Sequence, residues 1–317
     1  MIVVLTGGTG GAKFIDGLQQ MVPQEELTLI VNTGDDLTWW SLRVSPDIDS
    51  VTYVLSGMLD PERGWGVRGD TFQCREAMAA LNEPAWFCVG DRDLATHLLR
   101  TQLLDSGKTL TEATEAIANR LGVRSCILPM SEERVETHVV TDAGDLSFEE
   151  YFVKRRYKDA ARSVYFDGVE SARPAPGVID AIGNAEVILL APSNPITSIG
   201  PILAVPGIRE ALRATEAPIA AVTPIVGGAA VSGPAAALMQ AVGLEPSLSG
   251  VTKAYSDFLD LLIADEKDSA EASHLRTRDL EVFCTDTLMK SPERSASLAH
   301  FVLQKASESR MARTESP

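Results

Sequence analysis

The sequence predicts an α/β fold: a Rossmann-like, mostly parallel sheet flanked by helices, with a helical cluster and a small β-rich insertion. Three observations predict it. An apolar run at residues 2–5 enters a turn with four glycines in five positions, and a helical pattern follows from Lys13 to about Met21. A second apolar run at residues 27–31 completes a β-α-β opening, and such units pair in parallel with a right-handed crossover. Strand and helix signals alternate again from residue 187 onward.

Between these ends, helical patterns recur near residues 51–58, 72–81, 93–104 and 110–121, and residues 86–89 read as a strand leading into the third of them. Residues 126–128, 137–141, 148–153 and 163–166 are short runs rich in β-branched and aromatic residues, separated by turns such as Asp142-Ala-Gly-Asp145, and are assigned to a mostly antiparallel insertion. Arg155, Arg156 and Lys158 read as its solvated basic edge. Strands at residues 187–190, 219–222 and 280–284, with helices at 208–214 and 234–242, complete the first sheet. The expected division is residues 1–122 as the first part of a nucleotide-binding core with its helical cluster, 123–170 as the β-rich insertion, 171–306 as the completion of the core, and 307–317 as a frayed tail without apolar periodicity.

Composition narrows the function. The chain has 317 residues, 45% hydrophobic and 23% charged, and no apolar run nears the roughly 20 residues that cross a bilayer. A net charge of −16 argues against a grip on nucleic acid, which needs a stripe of Lys and Arg, but leaves small phosphorylated ligands open. Cys74, Cys88, Cys126 and Cys284 form no Cys-x-x-Cys pair and read as buried thiols. With no basic leader before the first strand, the expectation is a cytoplasmic chain.

The glycine turn, Gly7-Gly-Thr-Gly-Gly-Ala-Lys-Phe14, fits neither familiar phosphate motif. Gly8 and Gly10 suit a dinucleotide fingerprint, but Lys13 holds its third glycine position. No Ser or Thr follows Lys13, so the P-loop pattern fails too. What survives is a turn whose backbone N–H groups and helix start can face a phosphate, or else a tight structural turn. Asp35 and Asp36, after the second strand, suit a ribose hydroxyl, a Mg²⁺ ion bridging phosphates, or a helix cap. Trp39 and Trp40 read as packing, with stacking on a flat ligand as the alternative. Either Asp of Ser45-Pro-Asp47-Ile-Asp49, or Ser50, can cap the helix near Val51, and the cap needs only one of the two carboxylates. Gly64-Trp65-Gly66-Val-Arg68-Gly69-Asp70 is a dense polar loop. In Gly90-Asp91-Arg92-Asp93, one Asp caps a helix on which Asp93 and His97 share a face, with His97 read as a hydrogen-bonding residue. Finally, Ala191-Pro-Ser193-Asn194-Pro195 and Pro224-Ile-Val-Gly-Gly228 follow strands at the carboxyl edge, where open α/β sheets bind ligands.

Taken together, these segments resemble the 2-phospho-L-lactate transferase family of coenzyme F420 biosynthesis. The ordered set runs from Gly7–Phe14 through Asn32-Thr-Gly-Asp-Asp36, Ser45-Pro-Asp-Ile-Asp49, Gly64-Trp-Gly66, Gly90-Asp-Arg-Asp-Leu-Ala-Thr-His97 and Ala191-Pro-Ser-Asn-Pro195 to Pro206-Gly-Ile-Arg209, nearly the whole chain. The resemblance implies transfer of a lactyl, enolpyruvyl or glyceryl phosphate from a guanosine diphosphate conjugate to the ribityl hydroxyl of the deazaflavin Fo, with release of GMP and with Mg²⁺ as cofactor. Carried over, Gly8, Thr9, Gly10, Gly11, Lys13, Ser193, Asn194 and Pro195 would cradle the guanosine diphosphate. Asp49, Trp65, Asp91, Arg92 and Asp93 would border the deazaflavin. Asp35, Asp36 and Asp49 are the metal candidates, and Asp49 and Asp36 the catalytic ones. Alternatives are a nucleotide-sugar-binding regulator of the same superfamily and an NAD(P)-dependent oxidoreductase. A homodimer is expected at this size.

Overall fold

The computed structural model describes residues 1–315, with side-chain surroundings through Met311. In chain order the strands are β1 (Ile2–Thr6), β2 (Leu27–Val31), β3 (Leu37–Trp39), β4 (Leu42–Val44), β5 (Cys126–Pro129), β6 (Glu136–Thr141), β7 (Gly144–Ser147), β8 (Ala161–Asp167), β9 (Val187–Leu190), β10 (Ile219–Val222), β11 (Ile225–Val226), β12 (Ala229–Ala230), β13 (Leu261–Asp265) and β14 (Glu281–Thr285). The helices are α1 (Gly8–Leu18), α2 (Pro46–Leu55), α3 (Gln73–Ala80), α4 (Asp93–Asp105), α5 (Leu110–Arg120), α6 (Val178–Gly183), α7 (Ile199–Ala204), α8 (Ile208–Ala214), α9 (Ala235–Ala241), α10 (Leu248–Tyr255), α11 (Ser269–Leu275) and α12 (Pro292–Glu315).

Seven strands form one sheet in the order β14-β13-β10-β9-β1-β2-β5, and every pair in it is parallel. Alternation along the strands explains the three layers. Val3 and Leu5 of β1 feed one apolar core with α6 to α10, whereas Val4 feeds the other with Phe14 and Ile15 of α1, Ile48 and Val51 of α2, and Leu298 and Val302 of α12. Both faces are thus covered, as an all-parallel sheet requires. From β1 the order runs to β2 and β5 on one side and to β9, β10, β13 and β14 on the other. The β1–β9 pair is therefore the topological switch point, where the connections leave in opposite directions and open a crevice at the carboxyl ends.

Five local expectations are corrected. The turn glycines from Gly8 onward already belong to α1, so the helix starts five residues before Lys13. Residues 126–129 leave the antiparallel insertion and pair in parallel with β2, while β7-β6-β8 form the insertion's antiparallel sheet. Residues 86–89 are not a strand: Trp86 and Phe87 pack on Trp39 instead, with Trp39 and Trp86 centroids 4.9 Å apart. Residues 150–154 form a π-helical turn, and its Phe152 stacks at 5.5 Å on Phe148 just before it, the contact that helical spacing allows. The stretch from residue 307 continues α12 as helix to Glu315, because elongating a helix already begun at Pro292 costs far less than nucleating one; residues 316 and 317 lie outside the described residues. β13, a fully buried run of five, was absent from the sequence reading.

Candidate active site

The turn after β1 and the bend after β9 meet at the switch point. Ser193 Oγ donates to the Gly7 carbonyl at 2.6 Å, across 186 residues of sequence. A Cβ on Gly10 would drive into the Pro192 carbonyl oxygen, and one on Gly11 into the hydroxyls of Thr6 and Ser193, so the glycines are what let the two bends touch. Gly8 sits at φ +67°, a conformation that favours glycine. Gly7, the N-cap of α1, offers no side-chain cap, so the first N–H groups of that helix have no partner from the cap residue. Asn194 Oδ1 accepts from Ile196 N at 2.9 Å and shapes the second bend, in which Pro195 is buried. Thr9 and Lys13 are exposed, and a Cβ on Gly64 would come into ordinary contact with the Thr9 side chain, which places the loop carrying half-buried Trp65 at the rim of the turn.

Beside this junction lies a buried acidic cluster. Asn32, at the end of β2, points its amide at Asp47 Oδ2 (2.9 Å), Asp35 Oδ2 (3.1 Å) and the Thr197 carbonyl (3.2 Å). Asp47 Oδ1 accepts from Gly8 N at 2.6 Å, and Asp36 Oδ2 accepts from Ser45 Oγ at 2.6 Å. The insertion contributes Glu149. Thr137 N, at the start of that sheet, donates to the Gly34 carbonyl at 2.7 Å and fixes the insertion to the loop of residues 32–36.

Burial, reinforced by Asp47, Glu149 and Asp36, pushes the Asp35 carboxyl well above its ordinary range. Burial likewise raises Asp36 to about 8 against the opposing Ser45 hydrogen bond, and raises Glu149 to about 8 with help from Asp47 and Asp36. Asp47 is raised to about 6 by burial, held back by its bonds from Asn32 and Gly8. Asp35 Oδ1, Asp36 Oδ1 and Glu149 Oε2 are buried without a hydrogen-bond partner. Orphaned hard oxygens of this kind fit a divalent cation. Among the described residues no three His, Cys, Asp or Glu side chains form a ready-made cage.

The residues assigned from sequence to the deazaflavin side are mostly engaged by other protein groups. Asp49, 4% exposed, is gripped at both oxygens by Arg100, itself 1% exposed: Nη1 reaches Oδ2 at 3.0 Å and Nη2 reaches Oδ1. His97 lies between Asp49 Oδ2 (3.5 Å) and Asp93 Oδ1 (3.4 Å), and Tyr53 OH donates to Asp93 Oδ1 at 2.6 Å. Burial acts to raise the Asp93 carboxyl, but the adjacent His97 and the bond from Tyr53 outweigh it and hold it low. This polar seam docks α4 on α2. Asp91 caps α3, accepting from Gln73 N and Cys74 N, while Asp70 caps α4, accepting from Arg92 N and Asp93 N. The expected cap of α4 by Asp91 or Asp93 is therefore corrected: each helix of the pair is capped by the loop preceding the other. The expected cap of α2 by Asp47, Asp49 or Ser50 is corrected too: the helix already begins at Pro46, all three lie inside it, and it has no side-chain cap bond, the Ser45 hydroxyl turning instead to Asp36. The Arg92 guanidinium is anchored on the Arg68 carbonyl at 3.0 Å. Trp39 is buried in its aromatic cluster, away from the stacking role weighed for it.

The chain matches, over residues 2–297, the sequence profile of the family described as "2-phospho-L-lactate transferase CofD". It belongs to the CofD family. A phosphoenolpyruvate transferase of Streptomyces griseus is 44% identical over 317 residues, covering 98% of this chain and 99% of the relative. A 2-phospho-L-lactate transferase of Methanosarcina mazei is 41% identical over 303 residues, covering 96% and 99%. A crystal structure of a UPF0052-family protein from Bacillus halodurans superposes with a TM-score of 0.67 at 17% identity, over 95% of this chain and 98% of that one, and shares its fold. Among the described residues no helix is long and apolar enough to cross a membrane.

For a CofD-family chain, sequence reasoning passed over Asn32, Asp47, Glu149 and Arg100 as site residues. Asp47 carried a signal: two carboxylates in Ser45-Pro-Asp47-Ile-Asp49 exceed what one cap requires. Glu149 carried none, because only the docking of the insertion brings it to the cluster.

Proposed function

We propose that this CofD-family transferase moves a lactyl, enolpyruvyl or glyceryl phosphate from a guanosine diphosphate conjugate to the terminal ribityl hydroxyl of the deazaflavin Fo, with Mg²⁺ present, releasing GMP and forming coenzyme F420-0 or its dehydro form. One observation carries the reading: two backbone bends from opposite sides of the switch point touch through Ser193 and Gly7, with a buried acidic cluster on one flank. Such a site holds a diphosphate by backbone N–H groups and a helix start.

The chemistry is displacement at phosphorus. The ribityl oxygen forms a new P–O bond to the phosphorus bearing the transferred group, the bridging P–O bond breaks with its electron pair leaving on GMP, and the hydroxyl proton passes to a carboxylate. Alignment and charge neutralisation supply most of such a rate, so a covalent nucleophile is unnecessary. Asp35 Oδ1 and Glu149 Oε2 would hold Mg²⁺, which would supply charge neutralisation on the phosphate oxygens when bound, leaving Asp36 Oδ1 uncommitted. Of the two catalytic candidates, Asp36 has a free Oδ1, whereas Asp49 has both oxygens on Arg100; proton acceptance is therefore assigned to Asp36, and Asp49 to the wall beside it.

The test incubates the protein with Fo, Mg²⁺ and, in turn, the lactyl, enolpyruvyl and glyceryl guanosine diphosphate donors, and follows products by mass. Equimolar GMP and phosphodiester are expected, and the preferred donor identifies the transferred group. No GMP release with any of the three donors would refute the reading.

A further inference from the structure

The anion position at the start of α1 is filled from within the protein. Gly8 N donates at 2.6 Å to Asp47 Oδ1, and the same carboxylate lies against Gly7, where a Cβ would come within 2.6 Å of Oδ2. Asp47 is carried by the first turn of α2, is 6% exposed, and is the carboxylate that meets the α1 start, which has no acidic residue in its own first turn. A phosphate seated on the glycine turn needs this N–H and would face this charge.

We propose that Asp47 is an internal stand-in for the donor's phosphate: it occupies the Gly8 N–H in the free protein and must give it up for the diphosphate to seat, so that Asp47 sets donor affinity. The inference rests on the diphosphate reading above and adds a residue that opposes binding.

Two features distinguish Asp47 from a fixed cap. Asp70 accepts three backbone N–H bonds and Asp91 two, together with a threonine hydroxyl, whereas Asp47 has one backbone N–H. Its other oxygen depends on the Asn32 amide, whose two hydrogens are shared among three acceptors: Asp47, Asp35 and the Thr197 carbonyl. Displacing Asp47 therefore breaks fewer backbone bonds than displacing Asp70 or Asp91 would. The released Asn32 hydrogen still finds Asp35 and Thr197, so displacement strands no buried donor there.

The experiment measures binding of inorganic pyrophosphate and of GDP, with ADP and UDP as comparison nucleotides, by calorimetry, with a chelator present, to the unaltered protein, Asp47→Ala and Asp47→Asn. Removing the charge and freeing the N–H is expected to tighten both anions by about tenfold in Asp47→Ala. A smaller gain is expected in Asp47→Asn, which keeps a carbonyl able to accept from Gly8 N. Should Asp47→Ala not fold, the asparagine variant carries the same sign. Unchanged or weaker binding of both anions in the variants, or no binding in any of the three proteins, overturns the proposal. The transferase reading fails separately: if pyrophosphate binds more tightly to the variants but GDP is bound no better than other nucleoside diphosphates, the stand-in survives and the guanosine donor does not.

Discussion

Arg100 keeps its charge at 1% exposure because Asp49 answers both arms of the guanidinium, and the two residues are 51 apart in sequence. Breaking a buried pair is costly because the remaining charge stays desolvated. Asp49→Leu is expected to lower the unfolding free energy by about 3–5 kcal/mol, and Arg100→Met by a similar amount, whereas the double variant Asp49→Leu/Arg100→Met should recover most of the loss. Urea unfolding of the four proteins checks this, and a double variant as unstable as the sum of the singles would show that the pair is not the unit. Asp49 was legible in the sequence because Ser45-Pro-Asp-Ile-Asp49 is a recurring pattern of the resemblance. Its partner was not: one arginine on a helix reads as a solvated charge until α4 is packed on α2.

At the level of elements, the exchange of caps joins α3, α4 and the loop between them into one unit. Asp91 serves α3 and Asp70 serves α4, so neither helix end is satisfied by its own flanking residue. Asp91→Ala is expected to lower the melting temperature, and to speed amide exchange at Gln73 and Cys74 more than at Asp93. Equal acceleration at both helix starts would contradict the exchange. The elements that the sequence misplaced share one cause. Residues 126–129, 86–89 and 148–153 are short apolar runs, and the same run can be an edge strand, a loop under an aromatic cluster or a helical turn depending on what packs beside it.

Across the whole molecule, Asp35 and Asp36 from the β2 loop, Asp47 from α2 and Glu149 from the insertion converge, and burial raises all four. Raised carboxyls bind more protons folded than unfolded, so their contribution is complete below the unfolded pKa of about 4 and is lost as pH rises through the folded values, about 6 for Asp47 and about 8 for Asp36 and Glu149. With a chelator, thermal stability is expected to fall between about pH 5 and about pH 9 more steeply than in an Asp36→Asn/Glu149→Gln variant, and Mg²⁺ added at the alkaline end should restore it only in the unaltered protein. A flat profile with chelator would show that the cluster does not carry this charge. The sequence by itself determined the parallel sheet, the glycine turn, the Ser193 bend and the family, because local periodicity and turn chemistry are properties of neighbouring residues. Only the tertiary structure decided that Asp47 fills the turn, that Arg100 neutralises Asp49 and that Glu149 reaches the cluster, because burial and pairing depend on which distant segments the packed core brings into contact.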